Sequence, residues 1–264
     1  VIRRFLFALL LVASPAGAAT YHISTTGNDA NDGLSAANAW ATFAYADLQL
    51  NPGDTLLIAD GTYDQRIKTT HSGTADGGYI TYKAQHDYGV ILAPSVDTGE
   101  DTIDVFSCPN CGPELQNPLQ GYLKFEGIIS RAKGENTGAL YLHSADNATV
   151  DIMTHHIIIR KCGFFGDAQE TNQSVIELGV NLRDSLIEDI FSYGKGRKGG
   201  EVFGGLRVTV RRAVVRYDYW EGDDYKPNDP RTTFDGYNTQ DSIFENIIAI
   251  DAAETPPGHE ADRG

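Results

Sequence analysis

Lys195, Arg197, Lys198, Arg207, Arg211, Arg212 and Arg216 crowd 7 of the chain's 21 basic residues into 22 positions, with Glu201 the only acid among them. Tyr217-Asp218-Tyr219-Trp220-Glu221-Gly222-Asp223-Asp224-Tyr225-Lys226 follows at once, and Asp229 lies just beyond. A basic strip beside an acidic, aromatic segment suits an acidic sugar polymer. Aromatic faces stack on sugar rings, guanidinium groups grip uronate carboxylates, and calcium bridges carboxylates of protein and sugar. The expected sugar contacts are therefore Arg197, Arg212, Tyr217, Tyr219, Trp220 and Tyr225, and the expected calcium ligands are Asp223, Asp224 and Asp229. Chain cleavage by elimination needs the proton next to the uronate carboxylate removed while a cation neutralises that carboxylate. Lys195, Lys198, Arg216 and Lys226 are the candidates for this step. The competing reading is structural: Arg211 with Glu245, and Arg212 with Asn246, would stack as ladders on a wall, and the aromatics would pack a loop onto it.

The elements that must carry these residues show in Leu206 to Tyr217, LRVTVRRAVVRY. Leu206, Val208 and Val210 alternate with polar residues at the period of a strand with one buried face; the phase slips at Arg212, and Ala213 and Val215 resume it. The slip marks a strand turning a corner. The same template fits Leu123-Phe125-Ile128-Ser130, Ile157-Ile159-Cys162-Phe164, Ser185-Ile187-Ile190-Ser192 and Ser242-Phe244-Ile247-Ala249, with Gly127, Lys161, Asp189 and Asn246 at the corner. If Phe125, Ile159, Ile187, Val210 and Phe244 are equivalent, the steps are 34, 28, 23 and 34 residues. A coil of constant core with loops of varying length is how a solenoid repeats. Beyond the corner Ile129, Phe191, Val214 and Ile248 are apolar too, so the template leaves the inward parity open there.

The chain has 264 residues and a net charge of −15 at pH 7, which argues against nucleic acid as a partner. Residues 1–19 read as a secretory signal: Arg3 and Arg4, an apolar run too short to span a bilayer, and Ala16-Gly17-Ala18. Residues 20–264 are expected to form one domain, with no membrane span, as a secreted monomer. Cys108 and Cys111 read as a local clip in an oxidising compartment, and Cys162 as a small core residue. His155-His156 reads as a turn pair, because neighbours on a strand face opposite ways. Gly27 to Gly33 reads as an Asx-rich turn, with a calcium loop as the alternative.

Near the start, Tyr21 to Ser24 is a strand, Trp40 to Leu50 a helix with Trp40, Phe43 and Leu50 on one side, Asp54 to Ala59 a strand, and Asp60 to Tyr63 a turn. This leader, Tyr21 to Tyr63, resembles that of secreted right-handed parallel β-helix proteins of the pectin-lyase-like superfamily, including family-nine pectate lyases. The resemblance implies that the helix caps the open end of the solenoid and that Pro52-Gly53-Asp54-Thr55 starts its first coil. It also implies calcium held by aspartates and a lysine base, with an acidic polysaccharide as substrate. Asp229-Pro230-Arg231 departs from the Asp-Pro-His of alginate epimerases.

The expected fold is thus all-β: a right-handed parallel β-helix with a short N-terminal capping helix. A cap is legible at one end alone, so the chain is expected to belong to a longer protein. The leading functional expectation is a calcium-assisted lyase of a uronate polysaccharide. The alternatives are a non-catalytic carbohydrate-binding or adhesin-type solenoid and a glycoside hydrolase on the same fold.

Overall fold

The structure, a computed structural model, describes residues 17–107, 119–134, 137–145, 149–167, 173–179, 181–218 and 232–251. β1 (Thr20–Ile23) and α1 (Phe43–Gln49) open the chain, which then follows one three-sided path repeatedly. The first coil is β2 (Thr55–Ile58), β3 (Gly61–Tyr63) and β4 (Ile67–Lys68); the second is β5 (Ile80–Ala84), β6 (Val90–Leu92) and β7 (Ile103–Ser107). The third is β8 (Gly121–Glu126), β9 (Ile128–Arg131) and β10 (Leu140–Ser144), and the fourth β11 (Thr154–Arg160), β12 (Gly163–Asp167) and β13 (Ile176–Leu178). In the next two coils the first two strands fuse around the corner: β14 (Leu182–Lys195) leads to β15 (Lys198–Phe203), and β16 (Leu206–Tyr217) to β17 (Thr232–Tyr237). β18 (Ile243–Asp251) starts a seventh coil. Strands pair in parallel with their counterparts one coil away, which makes a parallel β-helix. Face 1 holds β1, β2, β5, β8, β11 and the first halves of β14, β16 and β18. Face 2 holds β3, β6, β9, β12 and the second halves of those long strands, and face 3 holds β4, β7, β10, β13, β15 and β17.

The expected column is present: Phe125 pairs with Ile159, Ile159 with Ile187, Ile187 with Val210 and Val210 with Phe244. Tyr82 extends it downward, its ring stacked on Phe125 at 5.0 Å. Burial of Phe125, Ile159, Ile187 and Val210 stabilises the fold by about 1.5–3 kcal/mol each. Beyond the corner the parity that the sequence left open is resolved. Ile128, Cys162, Ile190 and Ala213 are buried, while Ile129, Phe191, Val214 and Ile248 face outward.

The corner residues Gly127, Lys161, Asp189, Arg212 and Asn246 all have left-handed backbone, with φ of 80°, 52°, 54°, 51° and 55°. One left-handed residue reverses the alternation, so both flanking segments keep apolar side chains inward. For a residue with a Cβ this costs about 1–2 kcal/mol. Ion pairs between corners partly offset it: Lys161 with Asp87 at 2.9 Å and Arg212 with Asp189 at 2.6 Å.

The N-terminal segment seals the first coil. Trp40, Phe43, Ala46 and Leu50 are buried in the core, the Thr42 hydroxyl caps α1 by accepting from the Tyr45 N–H, and the Asp29 carboxylate accepts from the Ala41 and Thr42 N–H groups. Asn28 and Asp32 accept from the N–H groups two residues on, so this loop takes the Asx-turn form. Gly61 to Tyr63, expected as a turn, is a strand paired with β6. Its Tyr63 is apolar enough to fill an inward slot once the hydroxyl has an acceptor, the Ala59 carbonyl at 2.7 Å. Cys162 is a buried free thiol pushed up to about 12 by burial, consistent with a core role.

Candidate functional site

On face 3 alternate residues of each strand point outward, and the register aligns them in two columns. The first runs Asp104, Tyr141, Glu177, Glu201, Asp235 on β7, β10, β13, β15 and β17. Lys198, at the start of β15, is only 5% exposed. A lysine can be buried when its ammonium is paired, and this one meets the Glu201 carboxylate and Asp235 Oδ2, the latter at 3.2 Å. Glu201 Oε2 also accepts from the Ser174 hydroxyl at 3.3 Å. Asp235 Oδ1 is buried with no hydrogen-bond partner among the described residues.

This crowding sets the protonation. Burial raises Glu177 to about 7, reinforced by the charges of Glu201 and Asp101 and opposed by a hydrogen bond from Tyr141 and by Lys198. Asp101, in the turn before β7, is likewise pushed up to about 7 by burial; the Gly138 N–H, 2.5 Å from Oδ1, works against this, and Asp104 adds to it. Asp104 meets His143 Nε2 at 3.1 Å, and the His143 ring stacks on both Tyr141, at 3.7 Å, and Phe106, at 4.3 Å. A carboxyl that holds its proton near neutrality thus adjoins an ionised carboxylate and an ammonium. Such an arrangement can give a proton to one atom and take one from another.

The residues expected to do chemistry are divided among three places. Lys195 ends β14, Arg197 lies in the following turn and Lys198 begins β15, so the backbone of these three runs along the edge of face 3. Arg216 and Tyr217 end β16 on face 2, where the Arg216 guanidinium lies 4.7 Å from the Tyr193 ring centroid and grips Asp218 with two bonds of 2.5 Å. Arg212 is at the corner of faces 1 and 2 and binds Asp189 and Glu188. Arg211 lies 2.8 Å from Glu188 and 3.8 Å from Glu245, within a face 1 column that alternates Lys83, Glu126, Arg160, Glu188, Arg211 and Glu245. The charge-ladder reading therefore accounts for this part of the basic strip. Tyr219, Trp220, Asp223, Asp224, Tyr225, Lys226 and Asp229 lie outside the described residues.

Among the described residues no three Asp, Glu, His or Cys side chains converge as metal ligands. Glu201 and Asp235, the carboxylates best placed to share a cation, share the Lys198 ammonium. The described residues do not fit a calcium centre. His155 and His156 sit at a left-handed bend in β11, where His156 has φ of 51° and the two Nδ1 atoms are 2.9 Å apart. Both histidines thus lie within a strand with their rings in contact, where a turn pair facing opposite ways was expected; burial lowers His155 to about 4.

Glu177, Glu201, Asp101, Asp235 and His143 escaped the sequence reading because the template covered faces 1 and 2. Ile103-Asp104-Val105, Leu140-Tyr141-Leu142 and Ile176-Glu177-Leu178 carry a usable signal: a short apolar, polar, apolar triplet in the last third of each coil.

No family model matches the chain. The crystal structure of the pectate lyase Pel9A superposes with a TM-score of 0.57 at 16% identity, covering 93% of this chain and 57% of that one. At that identity the likeness establishes the parallel β-helix fold, and the chain spans a little over half the length of that lyase. The structure of XylC in complex with xylose aligns at 12% identity and a TM-score of 0.41, over 86% of this chain and 63% of that one. In sequence, the uncharacterized protein YwoF of Bacillus subtilis (strain 168) is 32% identical over 82 residues, 31% of this chain and 17% of that protein.

Proposed function

We propose that this protein is secreted and that it binds an acidic polysaccharide along face 3 and cleaves it by β-elimination. The observation that carries the reading is the buried Lys198 ammonium between Glu201 and Asp235, with the Glu177 carboxyl on the adjoining strand. The fold shared with a pectate lyase supports it. Lys195, Arg197 and Lys198 form a cationic edge against which uronate carboxylates would lie.

In this scheme Lys198 turns from Glu201 to the uronate carboxylate, whose neutralised charge makes the adjacent C5–H more acidic. Glu201, released from its partner, takes the C5 proton. The C5 electron pair forms the C4–C5 double bond as the C4–O bond to the leaving sugar breaks, and the Glu177 proton passes to that oxygen. Lysine was expected as the base; the two carboxylates around Lys198 suit it better to neutralising charge.

One observation favours a second reading. Glu177 and Glu201 are register partners on neighbouring strands, and glycoside hydrolysis also uses a pair of carboxyls, one protonated and one ionised. Incubation with polygalacturonate and with alginate separates the two. Elimination raises ultraviolet absorbance from unsaturated uronate together with new reducing ends; hydrolysis makes reducing ends alone. Neither signal on any uronate polymer removes the enzyme reading and leaves a carbohydrate-binding solenoid. A parallel arm with chelator tests calcium, which would have to be held by residues outside the described set.

A further inference from the structure

The second outward column of face 3 has a gap. Phe106 pairs with His143 and Phe203 with Tyr237, and Gly179, the residue after β13, extends the register between them, where an added Cβ would lie 3.5 Å from the Phe203 Cβ. Phe106 lies parallel to His143 at 14°, and Phe203 lies 5.3 Å from Tyr237 at 10°. Aromatic rings thus stack on both sides of a position that has no side chain. Phe106 and Tyr237 are four strand spacings apart, about 19 Å, which is long enough to underlie several sugar rings.

Gly179 keeps this gap open for one neighbour. A Cβ added there would lie 3.1 Å from Glu177 Cγ and 3.3 Å from Glu177 Oε1, so the Glu177 side chain leans over the bare backbone between the two aromatic stacks. The Gly179 N–H donates to the Leu142 carbonyl at 2.9 Å, and its φ is outside the left-handed range. The backbone therefore does not require glycine here; a Cβ would shift the Glu177 side chain by a few tenths of an ångström. The groups facing Glu177 are Tyr141 from β10, Glu201 and Lys198 from β15, and Asp101 from the turn before β7.

Resting on the reading proposed above, we infer that Gly179 sets where the polysaccharide is cut. The sugar at the reacting bond seats over the gap against the Glu177 carboxyl, and its neighbours stack on Phe203–Tyr237 to one side and on the Phe106–His143–Tyr141 rings to the other. The occupant is a uronate chain, because the cation of this carboxyl column, the Lys198 ammonium, is held at Glu201, two residues before Phe203 on the same strand. Sugar carboxylates face that ammonium.

Gly179→Ala tests the positioning. The expected result is an unchanged melting temperature, a fall in kcat of about tenfold or more with KM within about twofold, and a displaced alkaline limb of the pH profile. Binding of a uronate hexamer, measured by calorimetry in a Glu177→Gln background, tests the platforms. Phe203→Leu and Tyr237→Leu should each weaken it several-fold, and Phe165→Leu on face 2 should leave it unchanged. A Gly179→Ala protein with native kcat and pH profile, or hexamer affinity indifferent to Phe203→Leu and Tyr237→Leu, overturns the inference. If the native protein cleaves no uronate polymer the reading above fails, and the hexamer experiment alone decides whether sugar lies on this column.

Discussion

Glu177 and Glu201 occupy the same register position on neighbouring strands of face 3, and the Glu201 charge adds to burial in raising the cost of ionising Glu177. The Lys198 ammonium pairs directly with Glu201, and Glu177 is left as the member that keeps its proton to about 7. Such division between two like groups is how one site holds an acid and a base at one pH.

This has a thermodynamic sign. Glu177 and Asp101 are raised to about 7 from 4.5 and 3.8, so the folded state binds their protons more tightly than the unfolded chain does. Their contribution to stability is full below those ordinary values and is lost as pH rises through about 7. Asp184 behaves oppositely: hydrogen bonds from Arg207, and then Arg183, hold it at about 2, so its contribution is present above 3.8 and lost as pH falls through about 2. Melting curves of the native protein and of Glu177→Gln with Asp101→Asn should converge toward acid pH, the variant gaining relative stability from about pH 5 to pH 8. A constant difference across that range would refute the assignment.

Lys198→Met should destabilise the fold by about 3–5 kcal/mol, because Glu201 and Asp235 lose the cation they share. Adding Glu201→Gln should recover part of this by removing one of the stranded charges. Urea titration of both variants checks it, and equal losses in the two would mean the ion pair contributes little.

Phe125→Ala should cost about 3–5 kcal/mol, since its ring is fully buried between Tyr82 and Ile159. Val214→Ala on the outward side of face 2, where Val214 is 38% exposed, should stay below about 1 kcal/mol. Comparable denaturation midpoints for the two would contradict the assigned parity.

At the corners, Gly127→Ala should cost about 1–2 kcal/mol, because its φ of 80° is one that a Cβ resists and that Cβ would lie 3.0 Å from the Ala84 side chain. Lys161→Met, which removes an exposed pair with Asp87, should have the smaller effect of the two. Thermal melts of the two single variants rank these effects.

The amino-acid order alone determined the wall of this protein. Alternation and its one-residue slip are local, so Phe125, Ile159, Ile187, Val210 and Phe244 declared a common column, and Gly127, Lys161, Asp189, Arg212 and Asn246 a common corner, before any contact was known. Arg211 opposite Glu245 was legible for the same reason. Face 3 was not. Its strands are short, they follow loops of unequal length, and Glu177 stands 24 residues from Glu201 but 36 from Tyr141, so counting along the chain does not show that they touch. Only the stacking of coils places Lys198 between Glu201 and Asp235 and sets Gly179 between the two aromatic stacks, because parallel pairing joins residues through space that no local period encodes.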